Sequence, residues 1–255
     1  MKKKAQVVDW VDRLGGLLFA ILVPLYYILQ VKSEMKTPGV VYCMNDVYCC
    51  IQDNGVFAVF PFAELILLNK LKYEFRAGVL LRTGSMKKMW LRLCKKTAGL
   101  AAVITVYVFV VSTVIGSTFC TFSCNWKQRN SNAYYVLRRS VDIEIPVIII
   151  MFLFLLAMFA MLFAAGLLIV YTWWFLGQPI LGYMAVMVLM IVELKTFDVN
   201  VFFLKICMNW ARFYYQGINW FQEVVFPLLV MAGLFGAGFF IFRRKDMLKK
   251  EGDGN

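Results

Sequence analysis

Apolar and polar positions along this chain fall in long blocks. Uncharged, mainly apolar runs extend from Leu14 to Val31, Thr97 to Trp126, Ile145 to Val192 and Val224 to Phe242. A shorter run, Gly55 to Leu71, is apolar apart from Glu64, Asn69 and Lys70. A helix needs about 20 apolar residues to cross a hydrocarbon core of roughly 30 Å. The run from Ile145 to Val192 has 48 residues, and as one helix it would be about 72 Å long. It must turn back. The stretch Phe175-Leu176-Gly177-Gln178-Pro179 is the predicted turn, beside the interfacial aromatics Tyr171, Trp173 and Trp174. The pattern predicts an all-α membrane protein, a single transmembrane domain over residues 1–255. Its six transmembrane helices fall at about 14–31, 55–71, 97–117, 145–171, 177–193 and 224–242. The first run ends in Gln30-Val31-Lys32-Ser33-Glu34 without a small-residue cleavage pattern, so it is expected to stay as a helix.

Finer spacing organises the segments between the runs. Val7, Trp10, Val11 and Leu14 recur at three and four, with Asp9, Asp12 and Arg13 on other faces. Such spacing fits an N-terminal interfacial helix, and equally a ragged start to the first span. In the loop 72–96, Met86, Met89, Trp90 and Leu93 form an apolar stripe, with Lys87, Lys88, Arg92, Lys95 and Lys96 mainly opposite. Gly84-Ser85 precedes them as a turn and helix start, with Ser85 able to cap. The last inter-span segment, 193–223, holds Val201, Phe202, Phe203, Leu204, Ile206, Cys207, Trp210, Phe213, Tyr214 and Tyr215 with few charges. A short outer re-entrant or interfacial helix before the last span is expected there.

Charge orients this layout. The chain carries a net charge of +12, with 16% charged residues and a mean hydropathy of +0.71. The segment up to Arg13, the loop Lys70–Lys96 and the tail from Arg243 hold 4, 9 and 5 Lys plus Arg, against 2, 4 and 3 in the three opposite loops. Eighteen against nine predicts both termini and the basic loop in the cytoplasm of a multi-pass plasma-membrane protein. The positive charge flanks the spans and touches anionic lipid heads, so nucleic-acid binding is not expected.

The chemistry-bearing residues are few. The chain has no His, which excludes His-ligated metal sites and Ser-His-Asp triads. It also has no GxxxxGK[ST] phosphate loop, so ATP hydrolysis by this chain is not expected. Glu64 lies about 9 Å deeper than Lys70 along a helix, where an unpaired charge costs on the order of 3 kcal/mol. It therefore faces protein or water, either as a polar point on a substrate path or bonded to a neighbouring helix. Cys43, Cys49, Cys50, Cys120, Cys124 and Cys207 all fall in outer regions, and only Cys94 falls inside. They are candidates for disulfides, with fifteen pairings open, or else small apolar thiols. No metal site is expected from them.

The layout, together with Glu74 and Arg76, then Arg82, then Gly84-Ser85-Met86-Lys87-Lys88-Met89-Trp90 and Lys95, resembles the permease subunits of ABC-2 type ATP-driven exporters. The nearest pattern is that of the small bacterial ones linked to bacteriocin or antimicrobial-peptide export and immunity. The outer cysteines belong to no family pattern. The resemblance implies a cytoplasmic coupling helix within 72–96, docking a separate ABC ATPase through Glu74, Arg76, Arg82, Ser85, Lys87, Lys88, Met89, Trp90 and Arg92. It also implies that ATP and Mg are bound by that partner and not by this chain, and that a second permease copy or paralogue completes the pathway. The exported substrate would be a peptide or another amphipathic or hydrophobic molecule. A chain with these spans and basic loops also suits a non-transporting membrane immunity, sensor or assembly protein. An intramembrane enzyme is disfavoured because Glu64 has no catalytic companion in any span.

Overall fold

The computed structural model describes the backbone of residues 2–52, 56–71, 74, 85–139, 141–176, 178–195, 203–208 and 210–252. Side chains are described over the same ranges except 2–14, 56–58, 179, 194–195, 203–204, 210–211 and 242–252. The described chain is helical: α1 Lys2–Glu34, α2 Met44–Cys50, α3 Val56–Leu71, α4 Met86–Phe119, α5 Asn132–Leu137, α6 Val147–Leu176, α7 Pro179–Lys195, α8 Phe203–Ile206, α9 Trp210–Gln216 and α10 Phe226–Gly252, the last entered through a π-helical turn, Phe221–Val225. Among the described residues the only β pairing is two isolated parallel bridges, Val41 with Ser131 and Cys43 with Phe122.

Composition decides which helix lies at the centre. The 30 residues of α6 include no charged side chain, and a helix that is apolar all round is stable only when surrounded. It packs against α2, α3, α4, α7, α8 and α10. Ala157, Ala160, Ala164 and Ala165 are buried along it, and small side chains let neighbouring backbones come close where hydrophobicity alone gives no drive to associate. Outward faces elsewhere stay apolar and exposed: Leu18, Ile21, Leu25 and Leu29 on α1, Val103, Val106, Val110 and Val114 on α4, Leu228, Leu229 and Phe240 on α10. A belt of that size is lipid-facing surface.

Among the described residues four helical stretches are long and apolar enough to cross a membrane: Gly15–Glu34, Met86–Phe119, Val147–Leu176 and Phe221–Ile241. The predicted second and fifth spans fall on α3 and α7, helices of 16 and 17 residues, or about 24 and 26 Å. The predicted turn between 175 and 179 separates α6, ending at Leu176, from α7, opening at Pro179. Proline fits a first helical turn, where its missing N–H has no partner to lose. The two helices then lie tightly together. A Cβ on Gly182 would stand 2.1 Å from Thr172 Oγ1 and 2.9 Å from the Ile169 carbonyl oxygen, so only glycine allows this approach.

Two expectations are corrected. There is no separate interfacial helix at the N-terminus, because α1 is continuous from Lys2 to Glu34; no proline separates the amphipathic turns from the span, and Gly15-Gly16 lie within the helix. The outer segment before the last span is likewise no single lipid-dipping helix. Its short α8 and α9 fold onto the protein, burying Ile206, Cys207, Met208, Phe213 and Tyr214. Phe213 and Tyr214 are covered by the chain's own elements, α9 packing on α2 and α5, whereas Tyr215 stays exposed.

Candidate functional site

Five carboxylates are buried among the described residues, Asp46, Glu64, Glu74, Glu193 and Glu223, and three of them, Glu74, Glu64 and Asp46, mark the bundle at one end, in the middle and at the other end. At the basic end, Ser85 caps α4, its hydroxyl accepting from the Lys88 N–H at 3.3 Å. From there the helix runs unbroken for 34 residues into the predicted third span. The amphipathic stripe has the predicted phase: Met89, Trp90 and Leu93 are buried, while Lys87, Lys88, Arg92, Lys95 and Lys96 are exposed. What covers the stripe, however, is this chain. Trp90, 0% exposed, lies with its ring centroid 5.3 Å from Tyr171 of α6 and 6.4 Å from Phe235 of α10. Its Nε1–H donates to the Phe235 carbonyl at 3.2 Å. A Cβ on Gly238 would sit 2.1 Å from Trp90 Cζ2, so the indole occupies a notch that only glycine leaves open. Met89 and Trp90 therefore face inward in this structure and are not surface anchors. Leu91 is the exposed apolar side chain between 85 and 96.

Glu74 closes this end. It is buried, and its carboxylate pairs with Arg92 Nε at 2.7 Å and with Lys96 Nζ. Burial acts to raise its pKa. The hydrogen bond and charge of Lys96 and those of Arg92 outweigh that effect and hold the carboxyl below the ordinary range. Lys87 Nζ lies over the Phe239 ring, 5.1 Å from its centroid. Arg76 and Arg82, and the first half of the predicted coupling loop, lie outside the described residues.

In the middle, Glu64 projects from α3 into the protein. Its flanking residues Phe62 and Leu65 are exposed, whereas Glu64 is 0% exposed among Ala63, Leu67 and Leu68. Neither carboxyl oxygen has a hydrogen-bond partner among the described residues, and Thr97 Oγ1 and Thr105 Oγ1 on the adjacent α4 are in the same position. Tyr183 of α7 is an electrostatic neighbour. A cavity of about 810 Å³ is an apolar groove between α1 and α3 bounded by Gly15, Gly16, Phe19, Phe62, Leu65 and Lys70. Glu64 does not line it, so the structure does not bring the carboxyl and the groove into one path.

At the far end the third carboxylate, Asp46, went unnoticed in the sequence. Fixed near the start of α2, it accepts four hydrogen bonds: Trp126 Nε1 at 2.9 Å and Tyr214 Oη at 2.5 Å on Oδ1, Cys43 N at 3.0 Å and Cys43 Sγ at 3.3 Å on Oδ2. Asn132 Nδ2 donates in turn to Tyr214 Oη at 3.1 Å. The Trp126 and Tyr214 rings meet edge to face, 4.9 Å apart. Desolvation by burial raises the Asp46 pKa, against the lowering effect of Tyr214, Cys43 and Trp126. Beside this knot, Arg212 Nη2 pairs with Glu223 Oε1 at 2.5 Å and donates to the Cys207 carbonyl at 3.2 Å, holding α9 to the π-helical turn. A signal for Asp46 existed: an acid three residues after Cys43, where a side chain can return to a free N–H at a helix start.

No family model, curated protein or solved structure matches this chain. The functional reading therefore rests on the geometry. This structure contains no disulfide among the six outer candidates Cys43, Cys49, Cys50, Cys120, Cys124 and Cys207. Cys207 Sγ donates to Met161 Sδ at 3.5 Å and Gln30 Nε2 reaches Cys50 Sγ at 3.8 Å, placing these two thiols inside the packing. Among the described residues no group of three or more Cys, Asp and Glu side chains is arranged to hold a metal ion.

Proposed function

We propose that this chain is the membrane-spanning permease subunit of an ATP-driven exporter of the ABC-2 type. In this reading it crosses the plasma membrane six times, with α3 and α7 as the two short crossings and both termini in the cytoplasm. A separate ABC ATPase binds and hydrolyses ATP with Mg, a second permease copy or paralogue completes the pathway, and the cargo is a peptide or another amphipathic molecule. The observation that carries this reading is the continuity of α4. Its capped basic start and its apolar span are one 34-residue helix, tied to α6 and α10 by Trp90 and to Glu74 by Arg92 and Lys96. A partner pushing on the exposed Lys87, Lys88, Leu91 and Arg92 moves the whole rod, which is what coupling to an ATPase requires. Because the tryptophan is turned inward, docking here relies on charge around Leu91.

The same inward turn of Met89 and Trp90 favours a second reading, a non-transporting immunity, sensor or assembly protein whose basic loop only fixes topology. Co-purification separates the two. Lys87→Glu/Lys88→Glu, at exposed positions, is expected to lower ATPase capture at least tenfold with a salt-dependent remainder, while insertion and thermal stability stay near wild type. Trp90→Ala is expected to destabilise the bundle by about 3–5 kcal/mol. Full ATPase capture by the correctly inserted charge-reversal variant would show that docking does not use Lys87 and Lys88, and absence of any co-purifying ATPase from wild type would leave the second reading standing.

A further inference from the structure

The far end carries chemistry beyond docking or transport. Residues 41–45 and 122–131 are laced together by backbone and side chain. Val41 N–H donates to the Asn130 carbonyl at 2.7 Å, Met44 N–H to Phe122 at 3.0 Å and Asn45 N–H to Ser123 at 3.4 Å, while Asn125 Nδ2 donates to the Val41 carbonyl at 2.8 Å. This lacing sets Cys43 directly across from Phe122, two residues before Cys124, and the two thiols are close enough to interact. Their surroundings differ. Cys43 is fully buried with its thiol on Asp46 Oδ2. Cys124 is half-buried and lines a cleft of about 440 Å³ with Ser123, Lys127, Glu144 and Pro146. Across that cleft Lys127 Nζ and Glu144 Oε2 pair at 3.2 Å, both well exposed.

We propose that Cys124 and Cys43 form a redox-active dithiol that takes a low-molecular-weight or peptide disulfide as substrate, Cys124 attacking and Cys43 resolving. Cys124 thiolate attacks one sulfur of R–S–S–R′. The S–S bond breaks, R′–S⁻ leaves and takes up a proton, and Cys124 is left as a mixed disulfide with R. Cys43, its S–H directed at the Asp46 carboxylate, then attacks Cys124 Sγ and expels R–S⁻, which takes up the second proton. Two protein thiols are oxidised to one disulfide, and the substrate disulfide is reduced to two thiols. The lacing already holds the two segments side by side, so the sulfurs can close to a bond of about 2 Å without opening it.

The geometry gives the order of attack, since only Cys124 reaches the cleft. The neighbouring Cys43 thiol, with burial opposing it and the Trp126 backbone assisting, holds the Cys124 thiol below the ordinary range. The neighbouring Cys124 and burial push Cys43 up, so Cys43 stays protonated until it acts. Cys120 is half-buried nearby. Oxidation removes the S–H that Cys43 gives Asp46 and so bears directly on the Trp126–Tyr214 knot.

The test uses the full-length protein in its own membrane, incubated with oxidised glutathione, quenched with acidic N-ethylmaleimide and mapped by mass spectrometry. Wild type is expected to yield a linked Cys43–Cys124 peptide. Cys43→Ser is expected to accumulate one glutathione on Cys124, at least tenfold more than on Cys120. Cys124→Ser is expected to take none on Cys43. Wild-type protein with Cys43 and Cys124 both alkylated, or with Cys124 joined to another cysteine, would overturn the pair without reference to any variant. A wild-type link with no mixed disulfide in Cys43→Ser would overturn the exchange mechanism.

Discussion

Glu74 and Asp46 are both buried acids near opposite ends of the same bundle, yet they are held in opposite ways. Glu74 is gripped by two cations, Arg92 and Lys96, whose own side chains are 54% and 44% exposed. Asp46 is held by neutral donors, an indole, a phenol, a backbone N–H and a thiol, all inside the protein. The consequences diverge. The cations draw the Glu74 carboxyl below its usual range while desolvation raises Asp46. Charge pairing at a wet edge is cheap to break and sensitive to salt, whereas donors collected around a dry carboxylate are costly to orphan. The basic end is thus built to be moved, and the far end to be kept.

The largest effect is expected at Asp46. Asp46→Ala strands Trp126 Nε1, Tyr214 Oη and the Cys43 N–H, and at about 1–3 kcal/mol per buried orphan the loss exceeds about 3 kcal/mol. Thermal unfolding in detergent, with Trp126 fluorescence shifting red, measures it. Glu74→Ala removes a carboxylate from partly exposed cations and is expected to cost about 1 kcal/mol, a difference that shrinks in high salt. An Asp46→Ala protein as stable as Glu74→Ala would collapse the contrast.

Acidification sharpens it further. Glu74, with a depressed folded pKa, contributes stability above its unfolded value of about 4.3 and loses it as pH falls through the folded value. Asp46, with a raised folded pKa, contributes most below about 4 and weakens as pH rises through the folded value. Lowering the pH from 6 to 3 should therefore increase amide protection at Val47 and Tyr48 and, once below about 4.3, reduce it at Met89 and Trp90. Hydrogen-exchange protection factors, corrected for intrinsic rates, read both slopes in one sample. Parallel slopes would show that one acid is misassigned.

The smallest effect on stability is expected at Glu64, which has neither kind of partner among the described residues. Glu64→Leu, similar in volume and free of the desolvation cost, should leave the melting temperature unchanged or slightly raised. If the carboxyl serves transport or resistance, that activity falls in Glu64→Leu despite the retained stability. Wild-type activity in Glu64→Leu would mark the acid as merely tolerated.

What was legible in the sequence was local. The α6–α7 turn is written in 175–179, the Ser85 cap in its place before the stripe, and the phase of Met89, Trp90 and Leu93 in their spacing. Burial of Glu64 followed from the cost of leaving a charge in lipid. What was not legible depends on who arrives from far along the chain. A stripe says that something covers Trp90, but only the fold supplies Phe235 and Gly238. Asp46 needs Trp126 and Tyr214, and one thiol pairing out of fifteen needs the lacing of 41–45 onto 122–131. Spacing within a helix has a period, whereas contact between distant segments has none.

One feature of α4 has a mechanical meaning. Lys95 and Lys96, the last charged residues before the apolar run, divide the rod into a short arm from Met86 to Lys96 and a long arm from Thr97 to Phe119, about 16 and 35 Å long. A stiff beam pivoted at such a point is a lever of the unequal kind. A nudge of 1 Å on the short arm becomes a swing of roughly twice that, in the opposite sense, at the tip of the long one. The tip is not idle: Gly116 lies against Met44 of α2, so closely that an added Cβ would fall 2.5 Å from its sulfur. A push on the lysines is therefore passed along the rod to the small helix that carries Asp46, at the opposite end of the bundle.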